Sequence, residues 1–211
     1  MIVLINPNST EAMTQAMVET ASKAGVALEG WTSLEGPAAI QGSEDGAACI
    51  PPLLALVRKA SDAGAKTIII GCFDDTGLDA AREIATCPVI GIGQVAYHMA
   101  VLAGGRFSVV TTLAVSVPIL EDNIHASGFT PKLARVRACG VPVLDLEADP
   151  AGTAPAVVGE IKRAIVEDKV SVVVLGCAGM VHIPAYFGET EAVRLIDGVT
   201  SAAQLAFLLA K

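Results

Sequence analysis

The chain has 211 residues, enough for one large domain or two small lobes around a sizeable core. Hydrophobic residues make up 53% and charged residues 17%, which argues against a disordered chain and suits a buried parallel sheet wrapped by helices. A net charge of −8 with no basic stripe argues against nucleic acid, whose binding depends on Lys and Arg neutralising phosphates, and gives no attraction to anionic lipid.

In chain order, Ile2-Val3-Leu4-Ile5 reads as a first strand running into Asn6-Pro7-Asn8. No basic segment precedes it, so it is not read as a signal peptide. Apolar spacing predicts helices at about 10–24 and 46–63 with a short strand between them. Thr67-Ile68-Ile69-Ile70 is a β-branched strand that ends in Gly71-Cys72. A helix at about 77–85, a short strand at Pro88-Val89-Ile90 and a helix at about 94–103 close the first half. Ala103-Gly104-Gly105 is the best seam. Beyond it the order returns: a strand at Phe107-Ser108-Val109-Val110, a helix at about 115–127, a short strand, and a helix at about 153–168. The strand Val172-Val173-Val174-Leu175 then ends in Gly176-Cys177, followed by a helix at about 184–192, a short strand at Val193-Arg194-Leu195 and a helix at about 199–210. No apolar run reaches the roughly 18 to 20 residues of a membrane helix.

The two Gly-Cys strand ends are 177 − 72 = 105 positions apart, and the same offset lays Ile2–Ile5 over Phe107–Val110, Pro37 over Pro142 and Arg58 over Arg163. Such a repeat predicts an α/β fold of two similar lobes, with mostly parallel sheets flanked by helices, related by pseudo-twofold symmetry, and an active site between the lobes. The first lobe is expected over 1–103, completed by the C-terminal helix at about 199–211, and the second over 104–198. Ligands bind at the carboxyl ends of parallel strands, so Cys72 and Cys177 are expected to face one cleft.

Two facing thiols point to proton transfer at carbon. Inverting a carbon acid requires one group to remove a proton from one face while another returns a proton to the opposite face. A thiol, with an ordinary pKa near about 8.5, can be poised as either partner. Backbone N–H groups are expected to stabilise the enolate, because both cysteines are read as sitting where a strand turns into a helix start. Cys177 is followed by Ala178 and Gly179, which let a ligand approach the backbone. Cys72 is followed by Phe73, Asp74 and Asp75, whose carboxylates would raise its pKa if they point inward, so Cys72 is expected to be the weaker acid.

At other strand ends, Asn8, Thr111 and Thr112 can hold a carboxylate or imide oxygen without adding charge. Ser9 and Thr10 serve equally well as helix caps. His182 is read as an exposed loop residue, and His98, Tyr97 and His125 as core or surface residues of helices. Five cysteines without a CxxC pair or secretion signal suggest reduced thiols in the cytoplasm. Cys49, Cys87 and Cys139 are read as packing residues. The cysteines and histidines lack the spacing of a zinc site, so no metal is expected.

Nearly the whole chain resembles the Asp/Glu/hydantoin racemase superfamily, in its hydantoin and allantoin racemase branch. The resemblance rests on Ile5-Asn6-Pro7-Asn8-Ser9-Thr10, Gly71-Cys72-Phe73 with Asp75 and Gly77-Leu78, Phe107-Ser108-Val109-Val110-Thr111-Thr112 and Leu175-Gly176-Cys177-Ala178-Gly179-Met180. It implies a pseudo-symmetric two-lobed fold, no cofactor, a homo-oligomer and a two-base mechanism on a hydantoin, allantoin or amino-acid-like small molecule. Cys72 and Cys177 match the catalytic pair, while Asn8, Thr111, Thr112 and the backbone after each cysteine match the substrate cradle. Hydantoin racemases typically carry glycine at the position of Asp74, proline at that of Thr76 and an acidic residue at that of Gln41. With Phe73 beside them, Asp74 and Gln41 are expected to set which substrate charge is tolerated. The same superfamily contains maleate isomerases, which also use two cysteines, and arylmalonate decarboxylases, which typically keep one. From another class, a two-lobed α/β cleft also suits a non-catalytic small-molecule binder, which has no need of paired thiols.

Overall fold

The computed structural model describes residues 1–188 and 193–211. The first half runs β1 (Ile2–Asn6), α1 (Glu11–Lys23), β2 (Glu29–Thr32), α2 (Ser43–Asp62), β3 (Thr67–Ile70), α3 (Leu78–Ile84), β4 (Val89–Gly91) and α4 (Ile92–Gly104). The second runs β5 (Phe107–Thr111), α5 (Val117–Ala126), β6 (Leu133–Ala138), α6 (Val143–Ala148), α7 (Pro150–Glu167), β7 (Val172–Leu175), α8 (Ile183–Phe187), β8 (Arg194–Asp197) and α9 (Gly198–Leu209). All the pairings are parallel, and the strand orders β2-β1-β3-β4 and β6-β5-β7-β8 are the same. The two lobes are thus one topology written twice.

The central strands β1, β3, β5 and β7 are buried along their whole length, which is why they read as near-continuous apolar runs and not as alternating patterns. One hydrophobic cluster joins the lobes, with Leu4 and Ile69 of the first sheet in the same core as Phe107, Val109 and Val174 of the second. Helices cross between them: α4 packs against β7 and β8, while α9 packs against α1 and β3. Although α4 precedes the seam at residue 104 in sequence, it covers the second sheet. No described helix is long and apolar enough to cross a membrane.

Three local readings differ from the structure. Residues Ala114–Ser116 form a 3-10 turn, and α5 starts only at Val117, with Pro118 in its first turn where a missing N–H costs nothing. Helix α6 interrupts the repeat in a stretch whose six residues were too few to show a helical period. The helix expected to about 192 stops at Phe187, before Gly188 with φ of 79°, and 189–192 lie outside the described residues.

The β6 edge of the second sheet is tied by charge. Arg137 on β6 places Nε 2.6 Å and Nη2 2.7 Å from the buried Asp168 carboxylate, which also accepts from Ser108 Oγ at 2.8 Å. Removing Arg137 leaves the buried Asp168 with only the longer contact to Arg135 Nε, at 3.4 Å, as its ion pair. Arg137→Ala is therefore expected to lower stability by about 3–5 kcal/mol in urea unfolding, and a loss under about 1 kcal/mol would show that Arg135 or solvent takes its place.

Candidate active site

Each central strand delivers its cysteine in the same way. Beyond the last paired residue, Gly71 N–H still donates to Ile5 O at 2.8 Å, and Gly176 N–H to Val110 O at 2.7 Å. A side chain would crowd its neighbours at either place, at Gly71 the tip of the Met17 side chain and at Gly176 the backbone of Val110 as well. A Cβ on Gly71 would lie 2.9 Å from Met17 Sδ, and one on Gly176 would lie 2.8 Å from Val109 Cγ1 and 2.9 Å from Val110 O. Cys72 and Cys177 follow at the carboxyl edges of the two sheets, and both line one cavity of about 30 Å³ between the lobes.

Around the cavity the first lobe contributes Asn8 and Met13, Ile40, and the run from Gly71 to Asp74. The second contributes Thr111, Thr112, Ser116 and Val143, with Cys177 and Ala178. Asn8 is buried, and its Oδ1 accepts from Asn6 Nδ2 and Thr10 N, both at 2.9 Å. Only the Met13 sulfur, at 3.6 Å, faces its Nδ2, so that amide has donor capacity for a ligand. Thr111 Oγ1 donates to Gly176 O at 2.9 Å and so holds the turn that carries Cys177.

The stretches after the two cysteines differ. After Cys177 a 3-10 turn at Ala178–His182 leads straight into α8, as expected of a helix start. After Cys72 the chain first turns, with Asp75 at φ of 50°, and the helix expected from about 77 begins at Leu78. The cause is Asp75 itself. Its carboxylate accepts from Gly93 N at 3.0 Å and Gln94 N at 2.6 Å, capping α4 from outside that helix. In the second lobe α9 is capped by its own preceding residue, Asp197, at 3.0 Å to both Val199 N and Thr200 N. Asp75 is thus turned away from Cys72, and Asp74 alone of the two carboxylates enters the cavity.

Comparison with known proteins agrees with this geometry. The family model described as Asp/Glu/Hydantoin racemase matches residues 2–206. This chain belongs to the Asp/Glu/hydantoin racemase family. The hydantoin racemase of Rhizobium meliloti is 42% identical over 208 residues, covering 97% of this chain and 86% of that protein. Allantoin racemase from Klebsiella pneumoniae superposes with a TM-score of 0.94 at 34% identity, covering 99% of this chain and 86% of that one. Its counterpart from Pseudomonas fluorescens superposes with 0.92 at 32%, covering 99% and 89%. The chain is a racemase with the two-lobed racemase fold.

In this racemase, burial dominates the electrostatics of the thiols. It pushes Cys177 up to about 12, against the backbone N–H of Gly179, which favours the thiolate. Cys72 is likewise pushed well above the ordinary thiol range, by burial and then by the Asp74 charge, against the backbone N–H of Asp74. Each thiol therefore faces the N–H two residues ahead, a detail the repeat preserves. Gly179 acts through that backbone group and is not itself part of the wall. Gln41 also lies outside the wall. Its Oε1 accepts from Val143 N at 2.9 Å, linking the lobes beside Ile40 and Val143.

Among the other sequence candidates, Thr10 Oγ1 is spent on Ala38 O at 2.8 Å, and neither Ser9 nor Thr10 lines the cavity. His182 lies at a separate surface depression with Tyr186 and Lys23. Cys49 is buried, donates to Gly46 O at 3.2 Å, and lies close enough to Cys72 for their charges to couple. Ser116, Met13, Ile40 and Val143 were missed. Of these only Ser116, ahead of the Val117-Pro118 helix start, carried a sequence signal.

Alkylation by iodoacetamide between about pH 7 and 10 should rise about tenfold per pH unit at Cys177, without levelling near pH 9, and run slower at Cys72. Site-resolved mass spectrometry checks this order, and faster labelling of Cys72 contradicts it.

Proposed function

We propose that this racemase inverts the 5-carbon of a hydantoin or allantoin-type ring without a cofactor, using Cys72 and Cys177 as its two bases. The observation that carries this reading is the equivalence of the thiols. Both follow a glycine at the end of a central strand, both face the N–H two residues on, and both line one cavity from opposite lobes. Relatives at 42% identity and structural neighbours at 34% and 32% carry the names hydantoin and allantoin racemase.

Burial holds both thiols protonated at rest, and the reactive form is one thiolate facing one thiol, with Cys177, the one farther in sequence from Asp74, taken as the first to ionise. The thiolate takes the proton from the substrate carbon, and the C–H electron pair moves into the adjacent carbonyl as an enolate. Cys72 then gives its proton to the opposite face of that carbon. Cys177 is left protonated and Cys72 ionised, which is the arrangement required to run the reverse direction. Asn8 Nδ2 and the hydroxyls of Thr112 and Ser116 are the neutral donors available to the enolate and ring oxygens. Reduced thiols are essential to this chemistry, which suits the cytoplasm.

Incubated in heavy water with single enantiomers of a 5-substituted hydantoin and of allantoin, the protein should lose optical rotation while the substrate carbon gains deuterium. Cys72→Ala and Cys177→Ala should each lower racemisation by at least about 10²–10⁴-fold while keeping the native circular dichroism spectrum. Unchanged racemisation in either variant would refute the two-thiol reading.

A further inference from the structure

Asp74 is the one charged side chain among the described residues that line the cavity. Its other neighbours there are apolar groups, thiols, hydroxyls and an amide. The residue is held in place through its backbone, since Asn123 Nδ2 on α5 donates to Asp74 O at 2.7 Å. Its carboxylate, however, makes no hydrogen bond or ion pair with a described residue, and burial pushes it up to about 6, leaving it mostly ionised at neutral pH. The adjacent Asp75 has two N–H partners. The Asp74 oxygens are not among the fully buried atoms that lack a partner, so they are accessible, and a carboxylate in the wall with no partner in the described protein is free to take one from a ligand. Asp74 shares the cavity wall with Cys72 and Cys177, and its negative charge acts on both thiols.

We propose that Asp74 is a specificity-determining residue, binding a cationic nitrogen on the 5-substituent of the ring so that positively charged side arms are preferred to neutral ones and anionic arms are rejected. The inference rests on the hydantoin-type reading above. An ammonium beside Asp74 completes the carboxylate with charge-assisted hydrogen bonds in a low-dielectric pocket. It also cancels a charge that holds both thiols protonated, so a matching substrate makes its own base easier to form. An anionic arm meets Asp74 and a thiolate with no Arg, Lys or His in the described wall to offset them.

The test uses three hydantoins of matched length at the 5-position: aminobutyl, butyl and carboxypropyl. Turnover by polarimetry and affinity by calorimetry are measured for the unaltered protein, for the near-isosteric Asp74→Asn and for Asp74→Ser. The unaltered protein should favour aminobutyl over butyl by about tenfold or more in kcat/KM and in affinity, with carboxypropyl weakest. Both variants should shrink the aminobutyl-to-butyl ratio by about tenfold and narrow the gap to carboxypropyl. Turnover with ratios unmoved by either substitution overturns the role of Asp74 and leaves the racemase reading standing. Binding ratios that collapse in the variants without turnover of any hydantoin support Asp74 and overturn the hydantoin reading. Failure to bind all three overturns both.

Discussion

The hydrogen bonds from Gly71 to Ile5 and from Gly176 to Val110, 2.8 and 2.7 Å long, carry each central strand one residue past its ladder and set the next residue, a cysteine, at the sheet edge. Everything at the site depends on that pair of contacts. They favour glycine, because at Gly176 Val109 and the backbone of Val110 occupy the space of a Cβ, and at Gly71 a Cβ would displace the tip of Met17. They also require two sheets held as one body, which the shared core and the crossing of α4 and α9 provide. A proton transfer that needs two groups on opposite faces of one carbon gains little from either group alone. The lobes therefore act as a rigid clamp whose jaws end in thiols.

Burial makes both thiols poor acids, and this follows from the same closure that excludes water from the carbanion. The counterweight is local: one backbone N–H per sulfur, from Asp74 and from Gly179. The lobes differ in how they use the residues that follow. Lobe two spends none of its cysteine turn on capping, since Asp197 caps α9 unaided. Lobe one caps α4 with Asp75, two residues after Phe73 has packed edge-on against Tyr97 at 5.5 Å between ring centroids. That leaves Asp74 as the residue whose backbone holds the turn and whose side chain is free, and the asymmetry between the two bases originates there.

The repeated topology, the parallel sheets and the place of both cysteines are legible in the sequence, because each rests on a pattern that survives translation by 105 residues. Less legible are features set by long-range contact. Two adjacent aspartates look alike in a string, yet Asp75 is claimed by an N-terminus eighteen residues away in chain and Asp74 is not. Gln41 reads as a pocket residue by position, but Val143 N draws its side chain to the other lobe, and Val143 belongs to a helix too short to show a period. Ile40 and Met13 carry no chemical signal at all. They enter the wall through packing, which only the assembled lobes determine.

The central claim, two unequal thiols on opposite faces of one carbon, is tested most directly by proton exchange in the single-cysteine proteins. With Cys72→Ser and Cys177→Ser each given the separate enantiomers of one substrate in heavy water, the account predicts reciprocal, one-handed exchange. Cys72→Ser should wash deuterium into one enantiomer without inverting it, and Cys177→Ser into the other, more slowly because Cys72 is the weaker acid. Exchange of both enantiomers by one variant, or the same preference in both, would contradict it.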